Sequence, residues 1–102
     1  MIHDLKIEPK WFGDVLSGRK KFEVRLNDRE FAVGDVLHLM EYHKEDNSFG
    51  MDDMFNVIYV FDNNEFLKDG YVILGIEPVN ELETLHKYVD WCAKNTEVQD
   101  NG

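Results

Sequence analysis

The sequence predicts a small α+β domain, with about five short strands forming a strongly curved sheet or barrel. Helices are expected at two places only, one after the first strand and one at the C-terminus. Three observations predict this. Apolar residues between positions 3 and 76 mostly alternate or run unbroken over short stretches, which is strand patterning. A helical repeat occurs only near residues 9–17 and 81–94. Gly, Pro, Asn and Asp clusters punctuate the stretches between them. The 102 residues amount to one domain. We expect residues 1–78 to form the barrel and residues 79–102 to form a helix and polar tail packed on it.

The elements follow in order. Ile2, Leu5 and Ile7 belong to a first strand over about residues 3–7, ended by Pro9. Pro9 suits the first position of a helix. Trp11, Phe12, Val15 and Leu16 share one face of that helix, and Gly18 supplies its left-handed stop. Both Trp11 and Phe12 are expected to pack on the sheet. Phe22, Val24 and Leu26 then alternate with Lys21, Glu23 and Arg25, so the apolar set is expected to face the core. Asn27–Glu30 and Val33-Gly34-Asp35 are turns. Val36–Tyr42 is apolar on both parities and is expected in the sheet interior, with His38 as a satisfied core histidine. Residues 43–50 read as a polar hairpin tip, and Met54–Phe61 as the strongest strand. Tyr71–Ile76 is the last strand, with Gly75 marking a bulge or a close backbone approach. Asn80 and Glu83 stand in capping-box register ahead of the second helix. Its stripe of Leu82, Leu85, Val89 and Cys92 is expected against the barrel, and the tail from Asn95 is expected to fray.

Charge narrows the function classes. The net charge of −10 opposes a general nucleic-acid coat, which works by summed Lys and Arg. The charge is uneven, however. Residues 1–30 hold seven basic and six acidic side chains, so an anion can dock there locally. The single cysteine, Cys92, permits no intrachain disulfide and fits a reducing compartment. No signal peptide and no membrane-spanning apolar run is present, so a cytoplasmic location is the expectation. No histidine or cysteine spacing suits zinc, and a metal site from Asp52, Asp53 and Asp62 is weaker than a solvated-loop reading. We therefore expect no metal and no cofactor.

One segment stands out, Gly18-Arg19-Lys20-Lys21-Phe22-Glu23-Val24-Arg25. Glu23 and Arg25 project from one face of a strand, and Lys20 sits at the helix–strand corner. Such a face can grip a planar polar ligand through a carboxylate acceptor, a guanidinium fork and a point charge. The plainer reading, that Glu23 and Arg25 only pair with each other or with neighbouring strands, stands beside it.

The pattern G-x-K-x-x-E-x-R, here Gly18, Lys20, Glu23 and Arg25, resembles the signature of ASCH domains, relatives of the PUA domains. His3–Ile7, Asn27–Arg29, Val33–Asp35 and Asp69–Ile76 are similar to blocks of a small bacterial and phage family with that fold, whose members carry only a provisional RNA-binding label. The resemblance covers about residues 1–77. It implies a PUA-like β-barrel with a cleft lined by Lys20, Glu23 and Arg25, and RNA or a modified nucleoside as the ligand class. We add Arg19, Lys21 and Arg29 as rim contacts to phosphate. Some relatives resemble amidohydrolases that deacetylate acetylated cytidine, with a lysine at the position of Lys20 and a threonine nucleophile at the position of Glu23. Lys20 and Glu23 are thus the catalytic candidates of an alternative hydrolase reading, although a carboxylate cannot replace that nucleophile directly. A third reading makes the acidic surface a docking face for a protein partner.

Overall fold

A computed structural model describes residues 1–99 of the chain, and the side chains of residues 1–95. The element order is β1 (Ile2–Ile7), α1 (Pro9–Leu16), β2 (Phe22–Leu26), β3 (Val36–His43), β4 (Ser48–Phe61), β5 (Tyr71–Pro78) and α2 (Glu81–Gln99). The five strands form one sheet in the order β1-β3-β4-β5-β2. β1 runs parallel to β3, and the other neighbours are antiparallel. The sheet curls into a half-barrel, so β1 and β2 are its two edges with an open seam between them.

The concave face holds the core. β1 supplies Leu5 and Ile7, β3 Leu37 and Leu39, β4 Phe55 and Val57, and β5 Val72, Leu74 and Ile76. α1 adds Phe12, Val15 and Leu16, spaced i, i+3 and i+4. Gly18 lies at φ +82° just past the helix, which explains the glycine stop. α2 lies beside α1. Trp91 covers Gly13 so closely that a methyl group there would overlap the indole. Its Nε1–H donates to the buried Glu41 at 3.0 Å.

Several strands run longer than their patterns predict. β3 and β4 continue to within four residues of each other, leaving only residues 44–47 as the hairpin tip. Polar local bonds make that tip regular, from Tyr42 to Asn47 and from Ser48 to Asp46, and the Tyr42 and Phe49 rings pack at 5.1 Å. β5 runs two residues past Ile76 and ends at Pro78. The irregularity expected at Gly75 lies across from it. β4 bulges between Val57 and Tyr59, and a Cβ on Gly75 would stand 3.1 Å from the Tyr59 Cβ. α2 extends past its expected end through Gln99, so the helix takes in the first part of the expected frayed tail. Residues 100–102 of that tail lie outside the described residues.

Three expectations of burial on the strands and α2 are overturned. On β2 the parity is reversed: Glu23 is buried, while Phe22, Val24 and Leu26 are about half exposed. Register explains it. Glu23 pairs with Leu74 and Arg25 with Val72, so both share the concave face with those core residues. At the edge strand that face meets the seam and not packed core. On α2 the stripe of Leu82, Leu85 and Val89 is 64%, 55% and 59% exposed. The helix docks instead through Thr84, Tyr88 and Trp91, because polar anchors rotate it: Thr84 donates to Asp53 at 2.5 Å and Lys87 to Asp53 at 3.3 Å. Third, His38 is no core residue. It lies on the convex face between Asp4 and Asp52, 2.9 and 2.5 Å away.

Candidate functional site

The site begins at the corner after α1. The Ser17 hydroxyl donates to the Asp14 carbonyl at 2.8 Å and accepts the Arg19 N–H at 3.2 Å. The Lys20 N–H donates to the same Asp14 carbonyl at 3.0 Å. These bonds, with the left-handed Gly18, turn the chain from the helix into β2 and fix the backbone of Lys20.

From that corner the Lys20 ammonium reaches over β2. It donates to Glu23 Oε2 at 2.5 Å and to the Phe22 carbonyl at 2.7 Å. Arg25 donates to the other oxygen, Glu23 Oε1, from Nη2 at 2.8 Å and from Nε at 3.1 Å. Both Glu23 oxygens are therefore engaged, and the carboxylate is 5% exposed. Two cations against one carboxylate leave the cluster with one net positive charge. The donors that Glu23 does not use, on the Lys20 ammonium and the Arg25 guanidinium, face outward at 17% and 21% side-chain exposure.

These residues line a cavity of about 480 Å³ in the seam of the half-barrel. One wall is the end of β1, Lys6, Ile7 and Glu8; the other is β2 from Phe22 to Arg25, with Lys20 at the corner. The α1 side of the cavity is Trp11, 40% exposed. Lys10 lies 4.7 Å and Lys20 6.0 Å from its ring centroid, so the indole sits among cations. The volume falls in the range of small-ligand sites, and the mixture of apolar wall and a few convergent donors is typical of them.

The structure brings Lys20, Glu23 and Arg25 together and leaves the other three expected contacts outside the lining. Arg19 is exposed. Lys21 is exposed, with its carbonyl tied to the Ile76 N–H at 3.0 Å. Arg29 donates to the Asp4 carbonyl at 2.8 Å, closing the free edge of β1. Its loop plugs the same end of the seam: Phe31 is buried and packs edge-on against His3 at 4.7 Å.

Trp11 is the residue that sequence reasoning missed, since it was expected in the core. A usable signal was present. Phe12, Val15 and Leu16 complete a core face at i, i+3 and i+4, and Trp11 lies about 100° away from Phe12 on the helix. The contributions of Lys6, Ile7 and Glu8 carry no sequence signal, because they depend on where the seam opens. Glu77 is exposed and stands outside the cavity lining. Asp52, Asp53 and Asp62 do not converge, and no metal-holding cluster of His, Cys, Asp or Glu occurs among the described residues.

No helix among the described residues is long and apolar enough to cross a membrane. A stretch of 41 residues is 44% identical to the uncharacterized 12.9 kDa protein in GpA 3'region of Escherichia phage P2. That stretch covers 40% of this chain and 38% of the phage protein, so the similarity spans well under half of either. A family model described as a domain of unknown function, DUF3850, matches residues 2–76, which takes in β1 to β4, all but the last two residues of β5, α1 and every residue lining the cleft. The chain therefore belongs to the DUF3850 family.

Proposed function

We propose that the seam cleft binds RNA, or a nucleotide-like ligand, through one flat base. The observation that carries this reading is the pairing of a half-exposed indole with donors locked by a buried carboxylate. Trp11 offers a stacking face, and stacking on one aromatic side chain contributes about 1–3 kcal/mol per base. Glu23 holds Lys20 and Arg25 in place, which lowers the ordering cost when they meet a ligand. With both Glu23 oxygens engaged, the cluster presents donors only. It therefore suits an acceptor edge, such as base carbonyls or a phosphate, better than an amino group. In this reading the half-barrel with α1 beside its opening is a PUA-like arrangement, as the G-x-K-x-x-E-x-R resemblance implies.

Binding fits the cleft better than hydrolysis does. No lining residue carries a hydroxyl or thiol that could attack an acyl group. Glu23, the one lining carboxylate beside Lys20, already accepts from three nitrogens and has no free oxygen to activate water.

The test is a titration of short single-stranded RNAs and free mononucleotides, followed by amide and indole chemical shifts. Shifts are expected at residues 18–25 and at the Trp11 indole, lost in Trp11→Ala and in Lys20→Ala/Arg25→Ala. Two cations predict a shallow salt dependence, a slope of about −1.4 in log K against log salt for a single strand. Equal affinity for duplex DNA, or no shift at millimolar ligand, would refute the proposal.

A further inference from the structure

Two strand edges bound the seam, and the ladders fix which main-chain groups turn toward it. Beside β5, the Lys21 carbonyl accepts the Ile76 N–H at 3.0 Å, and the Asn27 N–H donates to the Gly70 carbonyl at 2.7 Å. Bonded and unbonded positions alternate along an antiparallel pair. Glu23 and Arg25 therefore bond to β5, while Phe22, Val24 and Leu26 turn their N–H and C=O groups to the free edge. The same logic holds on β1. There the Val36 N–H donates to the Met1 carbonyl at 2.9 Å, and the parallel register carries the bonded set on through His3, Leu5 and Ile7. Ile2, Asp4 and Lys6 turn outward. Two side chains bear out this parity. Arg29 donates to the Asp4 carbonyl at 2.8 Å and the Lys20 ammonium to the Phe22 carbonyl at 2.7 Å, both carbonyls that the ladders leave free. Lys6 and Val24 are the next outward residues on the two edges, and both line the cavity. Among the described residues, no side chain or loop bonds to the main-chain N–H or C=O of either.

We infer that the main chains of Val24 and Lys6 read the edge of the ligand, so that the cleft selects a flat ring with a hydrogen-bond donor beside an acceptor over a bare anion. This rests on the base-binding reading of the cleft and supplies its specificity. An extended residue presents its N–H and C=O side by side on one edge, and the polar edge of a nucleobase offers an acceptor and a donor in the same way. Each main-chain group wants a partner, and a ligand that brings both kinds satisfies both. A phosphate brings acceptors only and leaves the Val24 and Lys6 carbonyls unmet. An extended peptide fits less well. It needs outward pairs at every second residue of an edge, and the bonds from Arg29 to Asp4 and from Lys20 to Phe22 interrupt both edges one step from Lys6 and Val24. What remains open is one residue on each side, the span of a single ring, with Trp11 on the same cavity to meet its face.

Titration of the full chain with each common ribonucleoside monophosphate and with ribose 5-phosphate, followed by amide and indole shifts, tests it. The best-bound nucleotide should move the Lys6 and Val24 amides together with the Trp11 indole, and ribose 5-phosphate should move neither amide. Val24→Pro removes only an N–H that points away from the ladder, so the fold should survive by circular dichroism. Nucleotide binding should then weaken about tenfold, as for one lost hydrogen bond. Val24→Ala keeps the main chain and should bind within about twofold of wild type. If Val24→Pro unfolds, the parity derived for β2 is wrong and the inference falls. Nucleotide shifts at the Trp11 indole and Lys20 with the Lys6 and Val24 amides unmoved would overturn the main-chain inference and leave base stacking standing. Silence of every cleft signal at millimolar nucleotide would overturn both.

Discussion

Replacing Glu23 by Gln keeps the shape of the side chain and removes its charge, which exposes what holds the cleft together. In the native cluster one carboxylate accepts from Lys20 at 2.5 Å and from Arg25 at 2.8 and 3.1 Å. Gln offers a single carbonyl acceptor, and its amide group points donors at one of two cations. Removing one partner of a fully buried ion pair costs about 3–5 kcal/mol. Here the carboxylate is buried, but Lys20 and Arg25 keep 17% and 21% of their side-chain exposure, so water can partly solvate them. The expected loss is therefore about 2–3 kcal/mol, below the fully buried case. For a domain of this size that corresponds to a fall in Tm of roughly 10 °C. Urea denaturation of wild type, Glu23→Gln, Lys20→Ala and Glu23→Gln/Lys20→Ala gives the coupling directly. The double variant should be less destabilised than the sum of the single ones, because removing Lys20 relieves the unbalanced cation. A cost under about 0.5 kcal/mol for Glu23→Gln, in the range of an exposed pair, would refute the view that the triad is a locked unit.

Other expectations follow from single contacts. Gly13→Ala improves helix propensity by about 1 kcal/mol but forces Trp91 off its seat and away from Glu41; overpacking should win, with a net loss of about 1–2 kcal/mol and a red-shifted tryptophan emission. The Asp52 hydrogen bond, opposed by partial burial and reinforced by Asp4, holds His38 above the ordinary imidazole value of 6.5. Its stabilising contribution is therefore complete below pH 6.5 and disappears as pH rises through the raised value; denaturation midpoints measured across that window should fall in wild type and stay flat in His38→Gln, and an imidazole titrating at or below 6.5 would contradict this. Phe31→Ala should cost about 3 kcal/mol, since the ring plugs the seam against His3, and its chemical-shift changes should centre on β1 and spare α2.

Much of this protein is legible in its sequence, because much of it is decided locally. Proline at the start of α1, the left-handed Gly18 and Gly34, the Asn80 cap whose Oδ1 accepts the Glu83 N–H at 3.0 Å, and the period of each strand are short-range effects. The grouping of Lys20, Glu23 and Arg25 is local too, since a tight corner followed by an i, i+2 strand spacing brings them together in almost any fold. What the sequence could not determine is which side of each amphipathic element faces in. Alternation on β2 shows that two faces differ, but not that its partner Leu74 turns the charged face inward toward an unclosed seam. Spacing on α2 marks a stripe, but the buried bonds of Thr84 and Lys87 to Asp53, a residue some thirty positions away, rotate that stripe into solvent. Trp11 becomes a cleft wall only because β1 and β2 stop short of pairing beside it. Local propensity sets period and punctuation within a few residues, whereas facing, closure and cavities depend on contacts between residues far apart in the chain.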